Sequence, residues 1–321
     1  MGDWLTLLFL AAAILVPVVV LIGFAGCDNL WKLPHIEDAK PIIDKAEGID
    51  PITIHLEWHF AYAAESFHFT RTDDDGNVVD LFPLGSPLND TDLPPNATFH
   101  YQVQALQSNG DTTGEPSATA TATTKPFASA YSKLLTQSTS PVEGSTLIQR
   151  IEASHLSGTG THVRITVQAA PESGASIDRV YISKVNTMGK AWDPNTDPAD
   201  PARLTAIYDS GANQNQPFLV PKGETKVLPI TRYTIDQSEA LLIAFDFTPG
   251  PLSGVANGPT SRVETAPDIP KSEATVYFLQ PAAQAASPIR SPNFITVVED
   301  PANPITSRVH CVTNIEVDPI S

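Results

Sequence analysis

The chain has 321 residues, with 36 Asp and Glu against 19 Lys and Arg, for a formal charge of −17. A charge of that sign repels phosphate backbones, which excludes nucleic acid as a partner. A charged fraction of 17% and 29 prolines, among many Thr, Ser and Val, predict an all-β chain with frequent turns. The length suits about two domains beyond an N-terminal segment. The two cysteines, Cys27 and Cys311, are too few for a disulfide framework, and Cys311 reads as a small buried apolar residue.

From Leu5 to Phe24 no side chain is charged, and Thr6 carries the one polar group. As a helix, such a run of about 20 residues reaches about 30 Å, the thickness of a bilayer core. Residues 1–27 are therefore expected to form a hydrophobic helix that attaches the chain to a membrane. The end of the run, Phe24-Ala25-Gly26-Cys27, resembles the lipobox of bacterial lipoproteins, in which small residues precede a cleaved, lipidated cysteine. That resemblance implies lipidation of Cys27, where two or more acyl chains hold firmly. It departs from the pattern in having Phe24 for Leu, and Asp3 without Lys or Arg in the leading region. An uncleaved span with Lys32 on the far side is the main alternative, and a buried helix a third. The opening Met1–Thr6 also fits an N-myristoylation pattern, redundant in front of such a run.

Residues 28–40 read as a tether that feeds a first strand around Pro41–Ile43. Then Ile52–Trp58 and Ser66–Arg71 alternate apolar and polar residues, as half-buried strands do. Asp73-Asp74-Asp75-Gly76-Asn77 is turn chemistry leading into Val78–Phe82. It fails as an EF-hand loop, because Arg71 would fall where an acidic first ligand is needed. In Thr98–Ala105, Phe99, Tyr101, Val103 and Ala105 share one face. Ser108–Asp111 makes a turn, and Ser117–Thr124 closes as a low-bulk strand.

Trp58 and the run TDLPPNATFHYQVQA (Thr91–Ala105) resemble the fibronectin type III family, whose pattern is tDLxPxtxYxYxVxA. The resemblance implies a β-sandwich over 41–125 that spaces or binds. Phe99 stands where that family places its tyrosine-corner Tyr, so a hydroxyl bond back to the backbone is missing, at some cost in stability. His55, His68 and His100 read as exposed strand residues.

A linker is expected over 126–144, and a second β-domain over 145–321. Its strand candidates are Leu147–Ala153, His162–Ala169, Ile177–Val185, Leu204–Tyr208, Phe218–Val220, Thr225–Pro229, Ala240–Thr248, Ala274–Gln280, Phe294–Val298 and Cys311–Val317. The least polar, Ala240–Thr248, is expected at the centre, and the edges IQRIEAS and VTNIEVD are expected to pair. Ser210-Gly211, Val220–Thr225, Tyr233–Asp236 and Ile315–Val317 resemble the jelly-roll modules found beside SGNH-type esterases and in phage or cell-surface proteins. That resemblance implies a jelly roll that binds or presents carbohydrate.

No G-x-S-x-G elbow, H-E-x-x-H, paired-Cys spacing or Gly-rich phosphate loop occurs. The expectation is a non-enzyme without a cofactor. The binding candidates lie in the loop Gly189–Asp200. Trp192 offers a ring for a pyranose, and Asp193, Asn195 and Asp197 offer groups for its hydroxyls. The same three residues, at i, i+2 and i+4, are a candidate calcium set, although Pro198 stands where an EF-hand needs Gly. The long stretch 250–270 is a further candidate binding loop. The functional expectation is an exported, membrane-anchored protein displaying a head that recognises carbohydrate or a protein surface. A virion or filament spike is one rival, and an accessory part of a carbohydrate esterase system another.

Overall fold

The computed structural model describes residues 39–107, 109–138, 141–235, 237–249, 261–297 and 306–318. The N-terminal hydrophobic helix, lipidation at Cys27 and the tether up to residue 38 lie outside the described residues. Those described are all-β, with two single turns of 3-10 helix at Ala153–His155 and Ser210–Ala212. The chain divides after Thr124 into two compact units.

The first unit contains β1 (Ile42–Asp50), β2 (Thr53–His59), β3 (Ser66–Asp73), β4 (Val78–Leu81), β5 (Leu88–Asp90), β6 (Thr98–Leu106), β7 (Thr112–Thr113) and β8 (Ala120–Thr123). One sheet runs β1-β2-β5; the other runs β4-β3-β6, with β7 and β8 also paired to β6. Period-2 alternation buries Ile54, Leu56 and Trp58 from one sheet against Phe69, Phe99, Tyr101 and Val103 from the other. Trp58 meets Phe69 edge-on, ring centroids 4.7 Å apart. The result is a fibronectin type III-like β-sandwich. The β3–β4 hairpin turns on Gly76 at φ +83°, and the Asn77 side-chain and backbone N–H groups bond the Asp73 carboxylate and hold it below its ordinary range. Phe99 is buried, with the Arg71 guanidinium 5.3 Å above its ring.

The second unit contains β9 (Ala128–Ser132), β10 (Gln137–Ser138), β11 (Thr146–Ile151), β12 (Gly160–Gln168), β13 (Ala175–Lys184), β14 (Thr205–Asp209), β15 (Phe218–Val220), β16 (Thr225–Val227), β17 (Thr231–Ile235), β18 (Leu241–Phe247), β19 (Glu264–Pro270), β20 (Ala274–Leu279), β21 (Ile295–Val297), β22 (Thr306–His310) and β23 (Val312–Val317). One sheet has the order β14-β13-β18-β11-β20-β21, with β15 also on β13. A second has the order β16-β12-β23-β9, with β17 also on β12, and β10-β19-β22 forms a third. Val163, Ile165 and Ile315 from the second sheet share one core with Ile177, Ile243 and Phe245 from the first, which makes this unit a β-sandwich too.

Three expectations need correction. The stretch 126–144 is no linker: β9 pairs with β23 and β10 with β19. Its Pro, Ser and Thr content hid four core positions, Ala130, Tyr131, Leu135 and Val142. IQRIEAS and VTNIEVD do not pair, since β11 lies between β18 and β20 while β23 lies between β12 and β9. Part of the candidate loop 250–270 is strand β19, and 250–260 lies outside the described residues.

Strand β18 is buried at every position because both of its faces are covered. The inner face meets the second sheet; on the outer face Leu242 and Ala244 pack with Tyr277, Ala285 and Phe294. Buried Asp246 fastens that cover. It accepts the Thr146 hydroxyl and the backbone N–H groups of Ala283, Gln284 and Ala285.

Candidate binding site

The loop between β13 and β14 carries the predicted site residues, and local hydrogen bonds set its course. Met188 N donates to Asn186 Oδ1 and Gly189 N to Asn186 O, so Asn186 opens the first turn. A β-carbon on Gly189 would stand 2.8 Å from Asp193 Oδ2, which leaves glycine as the residue that fits there. The loop then returns along β13, where Asn195 N donates to Lys184 O at 2.9 Å.

Trp192 is half-buried. Its ring packs against Tyr277 and Phe294, centroids 5.1 and 5.9 Å away, and its Nε1–H donates to Ser291 O at 3.2 Å. Arg290, itself buried, donates to the carbonyls of Trp192, Gln284 and Ala285. Burial pulls its guanidinium down to about 10, and the nearby carboxylates of Asp193 and Asp246 oppose that fall. Trp192 and Arg290 thus knit this loop to the 281–294 cover over the outer face of the sheet.

Asp193, Asn195 and Asp197 each accept a local backbone N–H. Asp193 Oδ2 accepts from Lys190 N, Asn195 Oδ1 from Asp197 N and Asp197 Oδ1 from Ala199 N. Each serves its own turn, and the Arg290 guanidinium near Asp193 competes with any cation there. Among the described residues, no group of three or more His, Cys, Asp or Glu is placed to hold a metal.

The residues missing from the sequence reading are the loop's charged neighbours. Lys184 Nζ bonds Asp200 at 2.8 Å and lies 3.5 Å from Glu239. The Lys184 ammonium, followed by the Ala202 N–H, holds the Asp200 carboxyl below its ordinary range. The Asn195 amide faces this carboxylate and supports its ionised form weakly, yet its buried Nδ2 makes no full hydrogen bond. Lys184, Asn195, Asp200 and Glu239 line one open cleft, with fully exposed Met188 at its mouth. A second cleft shares Pro198 and Asp200 and is walled by Arg203, Thr205 and the β17 residues Arg232–Thr234. No periodicity marks these positions: they come together because β13, β17 and the 195–203 turns meet in space.

Among the described residues of the first unit, His55, His59, His68 and His100 lie on outward positions, each against a carboxylate. His55 bonds Asn89 and Glu57, which raise its pKa, while His68 bonds Asp80 and His100 bonds Asp74.

No family model matches the chain, and no curated protein matches it. Among solved structures, the chain is similar to the FN5 domain of Drosophila Lar (21% identity, 27% of this chain and 97% of that one, TM-score 0.24). It is similar to a two-domain fibronectin type III segment of chicken tenascin (11% identity, 85% and 97%, TM-score 0.22). It is also similar to chitinase ChiA74 from Bacillus thuringiensis (12% identity, 66% of this chain and 27% of that one, TM-score 0.22).

Proposed function

We propose that this chain is a non-catalytic display protein, attached to a membrane through residues 1–27, whose second unit is a jelly-roll head that recognises a glycan. The fibronectin type III-like unit serves as its spacer, and the 20-odd apolar residues ahead of it supply the attachment, about enough for one bilayer crossing or a lipoprotein leader. The observation that carries the binding reading is the open cleft lined by Lys184, Asn195, Asp200 and Glu239, which gathers ammonium, amide and carboxylate groups at one place. A sugar hydroxyl pairs with amide, ammonium and carboxylate alike. Trp192, packed on Tyr277 and Phe294, supports the loop that carries Asn195 rather than serving as the stacking platform. The test is a glycan array probed with the wild-type protein and with Asn195→Ala. Binding by the wild type that drops at least tenfold in the variant supports the reading; equal binding removes the cleft, and no binding removes the glycan.

A further inference from the structure

We propose that the second cleft, between the 198–205 turn and β17, is an anion subsite of the head, which takes the carboxylate or sulfate group of an acidic saccharide. The inference rests on the glycan reading and narrows it.

The starting point is charge pairing in an acidic protein. With 36 acidic side chains to 19 basic ones, an arginine has carboxylates in excess to meet. Arg71, Arg150, Arg164, Arg179 and Arg262 each have one within 4 Å. Arg290 is buried on three carbonyls. Of the arginines whose side chains are described, the two left without a carboxylate are Arg203 and Arg232, and both line this one cleft. Arg203 donates from Nη1 to Pro198 O at 2.9 Å, which steadies it and leaves its other donors for a ligand.

The cleft is otherwise built to leave those guanidinium groups unquenched. Its one acidic lining residue, Asp200, is occupied by Lys184 and by the Ala202 N–H, each at 2.8 Å. The two walls are joined where the Tyr233 hydroxyl donates to Ala202 O at 3.1 Å, so the neighbours of both arginines are held together. The volume, about 420 Å3, falls within the roughly 300–1,000 Å3 of small-ligand pockets. A guanidinium presents a planar pair of donors that matches a carboxylate or sulfate edge, and Thr205 and Thr234 add hydroxyl-bearing walls. Because this cleft shares Pro198 and Asp200 with the neighbouring one, a saccharide can place its hydroxyls in one and its charged group in the other.

The test is calorimetric titration of the full-length chain in detergent with three hexasaccharides: oligogalacturonate, heparin-derived and neutral maltohexaose. At least one acidic sugar is expected to bind tenfold or more tighter than the neutral one, and to lose that gain in 500 mM salt. The stronger acidic arm identifies the anion as carboxylate or sulfate. R203Q/R232Q should erase the preference while K222Q, outside the cleft, keeps it; each single variant, read separately in case the double one does not fold, should lose part of it. Neutral and acidic sugars bound equally, or an acidic preference untouched in the folded variants, overturns the subsite and leaves the glycan reading standing. Binding of no saccharide overturns both.

Discussion

Arg71 and Asp90 join the two sheets of the first unit. From β3, Arg71 Nη1 donates to both Asp90 carboxylate oxygens, at 2.8 and 2.9 Å, while Asp90 sits at the end of β5 in the opposite sheet. Tyr101, on β6, donates its hydroxyl to the same carboxylate at 2.8 Å. Burial, with Asp90 close by, drives the Tyr101 phenol far above its ordinary range. The pairing lies beside the buried ring of Phe99, over which the Arg71 guanidinium sits. Removing one partner of a buried pair strands the other, at a cost of about 3–5 kcal/mol. Asp90→Ala is therefore expected to unfold the first unit at much lower urea concentration than wild type. Tyr101→Phe, which loses one hydrogen bond, should cost about 1 kcal/mol. An Asp90→Ala transition that overlays the wild-type curve would exclude this role.

A second prediction concerns the approach of β1 to β8, which belong to different sheets. A β-carbon on Gly48 would lie 2.0 Å from the Thr123 carbonyl oxygen, a backbone atom that cannot swing aside. Gly48→Ala must push the strands apart and should destabilise the first unit by about 1–3 kcal/mol. Gly85→Ala is the matched control, since nothing lies within 4 Å of the β-carbon there. Thermal melts of the two variants should differ, with Gly85→Ala close to wild type.

Much of this architecture is legible in the sequence because alternation reports which face of a strand is buried. Phe218–Val220 and the run around Leu241–Phe247 are strands at those places. Where alternation weakens, legibility fails. In β9 only Ala130 and Tyr131 are buried, in a segment that reads as Pro/Ser/Thr linker. In β17 Tyr233 and Ile235 are buried, but Thr and Arg dilute the signal. Which strands pair is not legible at all, so two segments with similar sequences, read as edges, end inside different sheets. The site follows the same rule. The loop around Trp192 draws attention by its composition, whereas Arg203 and Arg232 acquire meaning only through the cleft they share and the lack of an ion pair to either.

Trp192 offers a direct way to separate support from recognition. Its ring rests on Tyr277 and Phe294, and Nε1 holds Ser291 O. Trp192→Ala should therefore loosen the 281–294 cover, costing about 2–3 kcal/mol for a half-buried ring, and expose it to limited proteolysis. Trp192→Phe keeps most of the packing and loses one hydrogen bond, so stability should fall by only about 1 kcal/mol. If the ring supports rather than stacks, Trp192→Phe should bind glycan as the wild type does. A variant with unchanged proteolysis and abolished binding would restore the ring to the ligand.

The final prediction is a pH dependence located at Asp318. Its carboxylate accepts the Thr161 and His162 backbone N–H groups at 2.6 Å each and the Thr161 hydroxyl at 2.8 Å, tying β12 to the residue that follows β23. Burial alone would raise its pKa, but the bonds from His162 and Thr161 outweigh burial and hold it below the ordinary value of 3.8. The unfolded chain thus binds a proton before the folded one does. The stabilisation is present in full above about pH 4 and is lost as the pH falls through the lower, folded-state value. Asp318→Asn keeps one acceptor oxygen but cannot ionise. Denaturation of the second unit from pH 6 down to pH 2 should show wild type more stable at the upper end, with the gap closing in acid. A gap of constant size would mean that the bonds at Asp318 are indifferent to its charge.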